Sequence, residues 1–193
     1  CTAYAASVDG SHLAGRGEYN DGIGADRNEP ARWVRDGGAY AVERIMPGQQ
    51  GTARDISGDG SRIVGEFHFG GLFLWTASQG AVPIASGNVH GISQDGSTVV
   101  GVGGTGAWRW TEAEGMQYLS EPGGLQATVP YDVSADGSII VGIQSSGTPA
   151  FIWTLEEGVR DLGAVFEDEY GFDLTGWTYF GAYSISPSGD YLS

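Results

Sequence analysis

Asp136-Gly137-Ser138-Ile139-Ile140-Val141-Gly142, followed by Ala150-Phe151-Ile152-Trp153-Thr154 and then Gly158, is a phrase that the chain repeats. It recurs as Asp9-Gly10-Ser11 to Gly15 with Trp33 and Gly38, as Asp59-Gly60-Ser61 to Gly65 with Trp75 and Gly80, and as Asp95-Gly96-Ser97 to Gly101 with Trp110 and Gly115. A glycine always lies six residues after the aspartate, and another lies five after the tryptophan. A fifth opening, Ser184-Ile185-Ser186-Pro187-Ser188-Gly189-Asp190, runs into the end of the sequence. Self-similarity at a period of roughly 20 to 50 residues marks a solenoid, a propeller or an array.

One repeat gives the local structure of all. In the stretch from Arg54 to Gly65, two short β-prone runs flank an Asp-Gly pair, which predicts a tight hairpin through a two-residue primed turn. The run Leu72-Phe73-Leu74-Trp75-Thr76 is a third strand, and Ala77-Ser78-Gln79-Gly80 turns it into Ala81-Val82-Pro83-Ile84. Pro83 places this fourth strand at an edge, where a missing N–H costs no ladder bond. Four antiparallel strands joined by hairpins make the blade of a β-propeller. The expected fold is therefore all-β: one repeat domain over 1–193, with repeats at about 3–48, 52–86, 89–120 and 130–163, an insertion at 164–180 and a partial repeat at 182–193. Counting strands, both ends carry the same half of a blade. Four blades and a half then form an open or incomplete ring with an exposed edge.

Two segments depart from the repeat. Residues 18–30, rich in Gly, Asp and Asn, read as a surface loop between the second and third strands of the first repeat. Val165 to Gly171 reads as a helical turn stopped by Gly171.

Composition narrows the function. Gly is 34 of 193 residues, yet 40% of the chain is hydrophobic and six residues are Trp, so the glycines punctuate turns in a packed fold. A net charge of -15 repels nucleic acid and anionic lipid. No apolar run approaches the roughly 18 residues of a bilayer span. Cys1, the single cysteine, has no partner for a disulfide; it reads as an arbitrary fragment start or as the acylated first residue of a lipoprotein.

The phrases resemble the HAF-repeat family of bacterial extracellular proteins, whose repeats have an Ile/Val-Ser-x-Asp-Gly-Ser opening, a Val-Gly close and an Ala-Phe-x-Trp-Thr third strand. Ala150-Phe151-Ile152-Trp153-Thr154 matches best, with Leu72-Phe73-Leu74-Trp75-Thr76 and Ala107-Trp108-Arg109-Trp110-Thr111 as variants. The histidine that names the family is replaced by Pro149, Gly71 and Gly106. Gly171-Phe172-Asp173-Leu174-Thr175-Gly176-Trp177 resembles the stretch before the last repeat of family members, which implies that the natural end lies half a repeat further on. The resemblance implies export to the cell surface, with no settled activity.

Candidate sites follow from residue type and repeat position. Asp9, Asp59, Asp95 and Asp136 read as turn formers, each with a serine two residues earlier (Ser7, Ser57, Ser93, Ser134), because one carboxylate per repeat cannot supply the six to eight oxygens calcium needs. The loop from Asn20 to Glu29 holds more oxygens but matches no calcium-loop spacing, so neither metal nor cofactor is expected. Trp33, Trp75, Trp110 and Trp153 read as the core between blades. Trp108, Tyr131, Trp177 and Tyr179 fall outside that series and are the candidate binding aromatics. His12, His68 and His90 form no metal or catalytic set, and no nucleophile pattern is present. The expectation is a noncatalytic extracellular interaction or adhesion module, acting through similar loops on successive blades, with an unidentified protein or glycan as partner. The alternatives are a lectin-like glycan binder and, third, a hydrolase pairing carboxylates of residues 18–30 with those of residues 167–173.

Overall fold

A computed structural model describes residues 1–193 apart from 21, 23–25, 120–126, 145–149, 178–180, 191 and 193, with backbone alone at 26, 127 and 128. Sixteen strands form four sheets of four. Blade 1 is β1 (Thr2–Ala6), β2 (His12–Asn20), β3 (Asp26–Asp36) and β4 (Ala39–Arg44); blade 2 is β5 (Gly51–Ile56), β6 (Arg62–Phe67), β7 (Leu72–Thr76) and β8 (Gly80–Ala85). Blade 3 is β9 (Asn88–Ile92), β10 (Thr98–Gly103), β11 (Gly106–Thr111) and β12 (Gly115–Tyr118), and blade 4 is β13 (Ala127–Val133), β14 (Ile139–Gln144), β15 (Ala150–Thr154) and β16 (Gly158–Asp161). Each sheet keeps chain order, and every described pairing is antiparallel. The chain is a propeller-type array. A fifth opening is visible as a single bridge, Ile185 to Leu192.

The pleat decides which blade each side chain meets. Ile63, Phe73 and Trp75 of blade 2 pack back onto Ala14, Ile45 and Met46. Their neighbours Val64, Leu72 and Leu74 pack forward onto Val89, Val99 and Trp108 of blade 3. Val100 and Ala107 then meet Ile140, Phe151 and Trp153 of blade 4, and Val141 and Ala150 meet Ala182 and Ile185 of the fifth opening. Among the described residues no such cluster joins blade 1 to blade 4 or to the fifth opening, as in an open ring.

The four Asp-Gly-Ser units are all hairpin turns, but of a different kind from the primed two-residue turn. Only the glycines have positive φ, at 66° to 74° for Gly10, Gly60, Gly96 and Gly137, so the aspartates stay in ordinary right-handed or extended backbone. Each turn spans four residues between a serine and its partner, and the serine does the closing. Ser7 Oγ accepts from His12 N at 3.0 Å and donates to Asp9 Oδ1 at 2.8 Å, which accepts in turn from Ser11 N at 2.9 Å. The same set recurs at Ser57–Asp59–Ser61, Ser93–Asp95–Ser97 and Ser134–Asp136–Ser138. These internal bonds explain why the aspartate and both serines repeat.

Two elements fall elsewhere than the sequence predicts. Residues 18–30 are no open loop: β2 and β3 stay paired as far as Asn20 with Asp26, because a ladder satisfies backbone groups that a loop would leave to water. The helix, α1, is Leu162–Asp168, beginning three residues before Val165 because Asp161 caps it by accepting from Ala164 N at 3.0 Å.

Candidate axial site

The repeat glycine carries the geometry of the site. In each blade the first strand slips one residue against the second, leaving Tyr4, Arg54, His90 and Tyr131 as the extra residue of a β-bulge. These residues stand three before Ser7, Ser57, Ser93 and Ser134, and Tyr183 holds the same place before Ser186. Beside the slip lie Gly15, Gly65, Gly101 and Gly142. A Cβ on any of them would collide with the carbonyl oxygen of Thr2, Thr52, Asn88 or Val129, and on the last three also with the ring of Phe73, Trp108 or Phe151. The bulge needs glycine opposite, and a bulge re-aims the side chain it carries.

First strands of successive blades lie against one another, whereas the fourth strands β8 and β12 barely meet, so the first strands surround the propeller axis. The bulged residues form a row there. The Arg54 guanidinium lies 5.8 Å from the Tyr4 ring and pairs with Glu66 at 2.8 Å. Glu66 also accepts from Val89 N at 3.3 Å, tying blade 2 to blade 3. His90 meets Tyr131 edge-on at 6.3 Å, and Tyr131 meets Tyr183 at 5.0 Å. Tyr4 is 44% and Tyr183 62% exposed, so the row is accessible at both ends. Burial lowers the His90 pKa, with Arg54 adding to the shift and Glu66 opposing it, so the ring is neutral at neutral pH.

Behind the row sit two carboxylates, each one residue after a bulge. Asp55 Oδ2 accepts from Ile92 N of blade 3 at 2.9 Å, and Asp132 Oδ2 accepts from Ile185 N and Ser184 Oγ, each at 2.9 Å. Burial pushes Asp55 up to about 6, the N–H groups of Ile92 and Ile56 oppose that rise, and the Asp132 carboxylate adds to it. The turn aspartates go the other way. The Ser11 N–H holds Asp9 down to about 2, the Ser138 hydroxyl does the same for Asp136, and the Ser57 hydroxyl lowers Asp59. At Asp95 burial is the strongest single influence and raises the pKa, but the hydrogen bonds from Ser93 and Ser97 together outweigh it and leave the carboxyl lowered.

The turns themselves are consumed in joining the blades. Val8 N donates to Gly58 O, Gly58 N to Gln94 O, Asp95 N to Ala135 O and Ala135 N to Pro187 O, at 2.7 to 3.0 Å. The residues at this joining position, Val8, Gly58, Gln94, Ala135 and Pro187, share no chemistry. What the turns share outwardly is the exposed aspartate, Asp9, Asp59, Asp95 or Asp136, whose Oδ1 is held by the turn's own serines.

Of the four candidate aromatics, Tyr131 belongs to the axial row. Trp108 is fully buried, which corrects its reading as a surface residue: it takes the place of Phe73 and Phe151 over its own blade's glycine, Gly101, on the same face of the pleat as Trp110. Trp177 is 69% exposed, beside the helix and away from the axis, and Tyr179 lies outside the described residues. Trp75 and Trp153 are buried at 7% exposure, while Trp33 and Trp110 are only half-buried. Tyr4, Arg54, His90 and Tyr183 are additions that the sequence reading passed over. Their signal was the fixed place three residues before the repeat serine.

Of the carboxylates offered for metal or hydrolytic chemistry, Glu29 and Glu169 are engaged in ion pairs. Glu29 is buried, accepting from Arg44 Nε at 2.6 Å and Gly48 N at 2.9 Å. Glu169 pairs with Arg160 and lines a groove built only from residues of blade 4 and the C-terminal segment, so residues 18–30 do not share it. Asp21 lies outside the described residues. Among those described, no three His, Cys, Asp or Glu side chains gather as a metal site, and no helix is long and apolar enough to cross a membrane.

The chain is similar to a solved structure titled as that of a putative TolB from Agrobacterium tumefaciens, with a TM-score of 0.54 at 15% identity over 96% of this chain and 70% of that one. At that identity the likeness is one of fold, a β-propeller. No protein-family model and no curated protein sequence matches, so the HAF-repeat resemblance rests on the quoted motifs.

Proposed function

We propose that this chain is a noncatalytic interaction module of an exported bacterial protein, working in the cell envelope or outside the cell, and that it meets a protein partner through the axial row. The observation that carries this reading is the bulge repeated in every blade. A bulge breaks a ladder, and four at one repeat position, each with its obligatory glycine, direct Tyr4, Arg54, His90 and Tyr131 to one strip that Tyr183 continues. Tyr and Arg are the residues over-represented at energetic centres of protein interfaces. The turns, whose backbone joins blade to blade, carry Asp, Gly and Ser and place no Tyr or Arg at their tips. The TolB-like fold of the neighbour agrees with an interaction role and an envelope location.

The test is capture from envelope extract on immobilised wild type and on a Tyr131→Ala/Tyr183→Ala variant, with the affinity of the recovered partner then measured for both. The double variant should weaken binding by about 2 kcal/mol, roughly thirtyfold, while Trp177→Ala leaves it unchanged. Equal binding by the axial variant refutes the site. A glycan array run on the same proteins separates the lectin-like alternative, which the exposed faces of Tyr4 and Tyr183 would also suit.

A further inference from the structure

The dipeptide Asp-Gly occurs six times in the chain, with its aspartate at 9, 21, 36, 59, 95 and 136. It carries a chemistry of its own, because the glycine nitrogen has no neighbouring Cβ to keep it from the aspartate side chain. From a protonated carboxyl, that nitrogen bonds to Cγ and gives up its proton while the γ-hydroxyl leaves as water, closing a succinimide ring. Water then opens the ring at either carbonyl. Breaking the bond from nitrogen to Cγ restores aspartate. Breaking the bond to the main-chain carbonyl carbon leaves isoaspartate, whose main chain runs through Cγ and whose α-carboxylate is free. The water released is the water returned, so the net reaction is an isomerisation.

The four repeat turns hold both reacting groups. Each glycine N–H donates to the carbonyl of the repeat serine, Gly10 to Ser7, Gly60 to Ser57 and Gly96 to Ser93 at 2.9 Å and Gly137 to Ser134 at 3.0 Å. Each aspartate Oδ1 accepts from the serine N–H two residues on at 2.8 to 3.0 Å and from the repeat serine hydroxyl at 2.6 to 2.8 Å. Bonds of this kind favour the ionised carboxyl, which has no hydroxyl to lose. Asp36-Gly37 is built differently. Asp36 pairs with Ala39 across a two-residue loop of Gly37 and Gly38, with φ of 56° and 95°, the primed turn that the repeat units avoid. Asp36 is exposed, and among the described residues its carboxylate accepts no hydrogen bond and the Gly37 N–H donates none. Asp36 and Ala39 are the last rung of the hairpin. Opening that rung leaves the rest of the ladder paired and lets the Asp36 backbone turn until the Gly37 nitrogen meets Cγ. Asp21 lies outside the described residues.

We propose that Asp36-Gly37 is a modification site, where the folded protein converts aspartate to isoaspartate through the succinimide, while the four repeat Asp-Gly pairs are protected by their own turns. The modification falls between two ties. On either side of it the β3–β4 hairpin is stitched to the first turn of the same blade, Arg35 N donating to Ser11 O at 2.8 Å and Tyr40 Oη to Gly10 O at 2.6 Å. Isoaspartate inserts one further main-chain carbon between these ties, so the Asp36–Ala39 rung and the Tyr40 bond cannot both keep their present geometry. That corner of blade 1 loosens with age. The site is separate from the axial row, and Tyr131→Ala/Tyr183→Ala should leave its rate unchanged.

The test is ageing of the folded 193-residue chain in mildly acidic buffer below its melting temperature, followed by cleavage after arginine. Cleavage puts the six pairs in separate peptides, 1–16, 17–27, 36–44, 55–62, 63–109 and 110–160, with 33–44 counted beside 36–44 because isoaspartate hinders the cut before it. Electron-transfer fragmentation marks the extra main-chain carbon and so counts isoaspartate in each. It should build up at residue 36 at least about tenfold faster than at 9, 59, 95 or 136, since two bonds to an ionised carboxylate must open before those can react. In denaturant the same five positions should agree within about threefold, because the turns that protect four of them are gone. Ser57→Ala deletes one bond to Asp59 and should raise the rate at 59 alone, with circular dichroism establishing that the variant folds. Ageing should also lower the melting temperature of wild type and spare Asp36→Glu, whose longer side chain disfavours the ring. Equal rates at 36 and at the repeat turns of the folded chain overturn the proposal. The same ranking in denaturant, or a rate at 59 indifferent to Ser57→Ala, overturns the protection that it assigns to the turns.

Discussion

The interface between blades 1 and 2 and the interface between blades 2 and 3 are built from the same repeat and held by different chemistry. At the first, Arg32 lies over Trp75 and is itself held by Glu43 at 2.6 Å. At the second, Leu74 takes the arginine's place over the indole, and a polar tie is added at the axis, where Asp55 accepts from Ile92 N, while Arg62 reaches across to Glu112 at 3.3 Å. The alternation continues. Blades 3 and 4 repeat the first type with Arg109, Trp153 and Glu114, and blade 4 meets the fifth opening in the manner of the second, with Ile152 and the Asp132 bridge. A period of two blades is superposed on the period of one. Where the guanidinium covers the indole face, as on Trp75 and Trp153, the tryptophan is 7% exposed; where leucine does so, Trp110 remains half-buried. The lesson is that one backbone plan fixes where blades touch but leaves open whether charge works at the outer strands or at the axis.

The largest effect should come from removing the tryptophans of the two classes. Trp75→Ala and Trp153→Ala each delete a nearly buried indole and leave a cavity, at a cost of about 3 to 5 kcal/mol. Trp110→Ala should cost roughly half as much, because part of its surface already faces water. Urea melts with fitted midpoints and slopes decide the matter. Equal losses at all three would mean that the arginine cover does nothing for burial.

Much of this was legible in the sequence, and the parts that were not share a cause. The blade plan could be read because Asp59 and Gly65, with their counterparts, are fixed by contacts local to one hairpin, and Trp75 holds one fixed place opposite Ile63 on the face that meets the preceding blade. The axial row escaped because a β-bulge is a relation between two strands: its trace is the glycine opposite, while the bulged residues are Tyr, Arg, His and Tyr, with no shared chemistry to catch the eye. Trp108 misled because two tryptophans two residues apart do share a face, and that face is the core. Residues 18–30 misled because a Gly- and Asp-rich composition signals a loop even where nine residues of β2 pair with β3. The two-blade period was present in the positions of Arg32 and Arg109 and of Asp55 and Asp132.

A middle-sized effect separates the two classes by pH. The Asp55 carboxyl, raised to about 6 in the fold against about 3.9 in an unfolded chain, binds its proton more tightly when folded. Its contribution to stability is therefore greatest below about pH 4 and is lost as pH rises through about 6. His90 acts oppositely in part of this window, since its lowered pKa costs stability as pH falls through its unfolded value. The difference between Asp55→Asn and wild type isolates the carboxyl. Relative to wild type, the variant's melting temperature should be higher at pH 7.5 than at pH 5. A difference independent of pH would remove the axial carboxylate from the distinction between interfaces.

The smallest effect tests whether one class can be converted into the other. Arg109→Leu gives the interface of blades 3 and 4 the residue that Leu74 supplies between blades 2 and 3. The change loses the cation–π contact with Trp153 and the ion pair with Glu114, which is 49% exposed and returns to water at little cost. It retains apolar contact with the indole, since leucine also covers part of the ring. The net loss should be about 0.5 to 1 kcal/mol. Because Arg109 is itself largely covered, a double-mutant cycle with Trp153→Leu is needed to separate the pair from general packing, and it should return a coupling of similar size. The matching cycle of Leu74→Ala with Trp110→Leu should return only packing, and unlike the first it should not respond to salt. Coupling at Arg109 that is absent, or equally insensitive to salt, would reduce the two interfaces to one hydrophobic design.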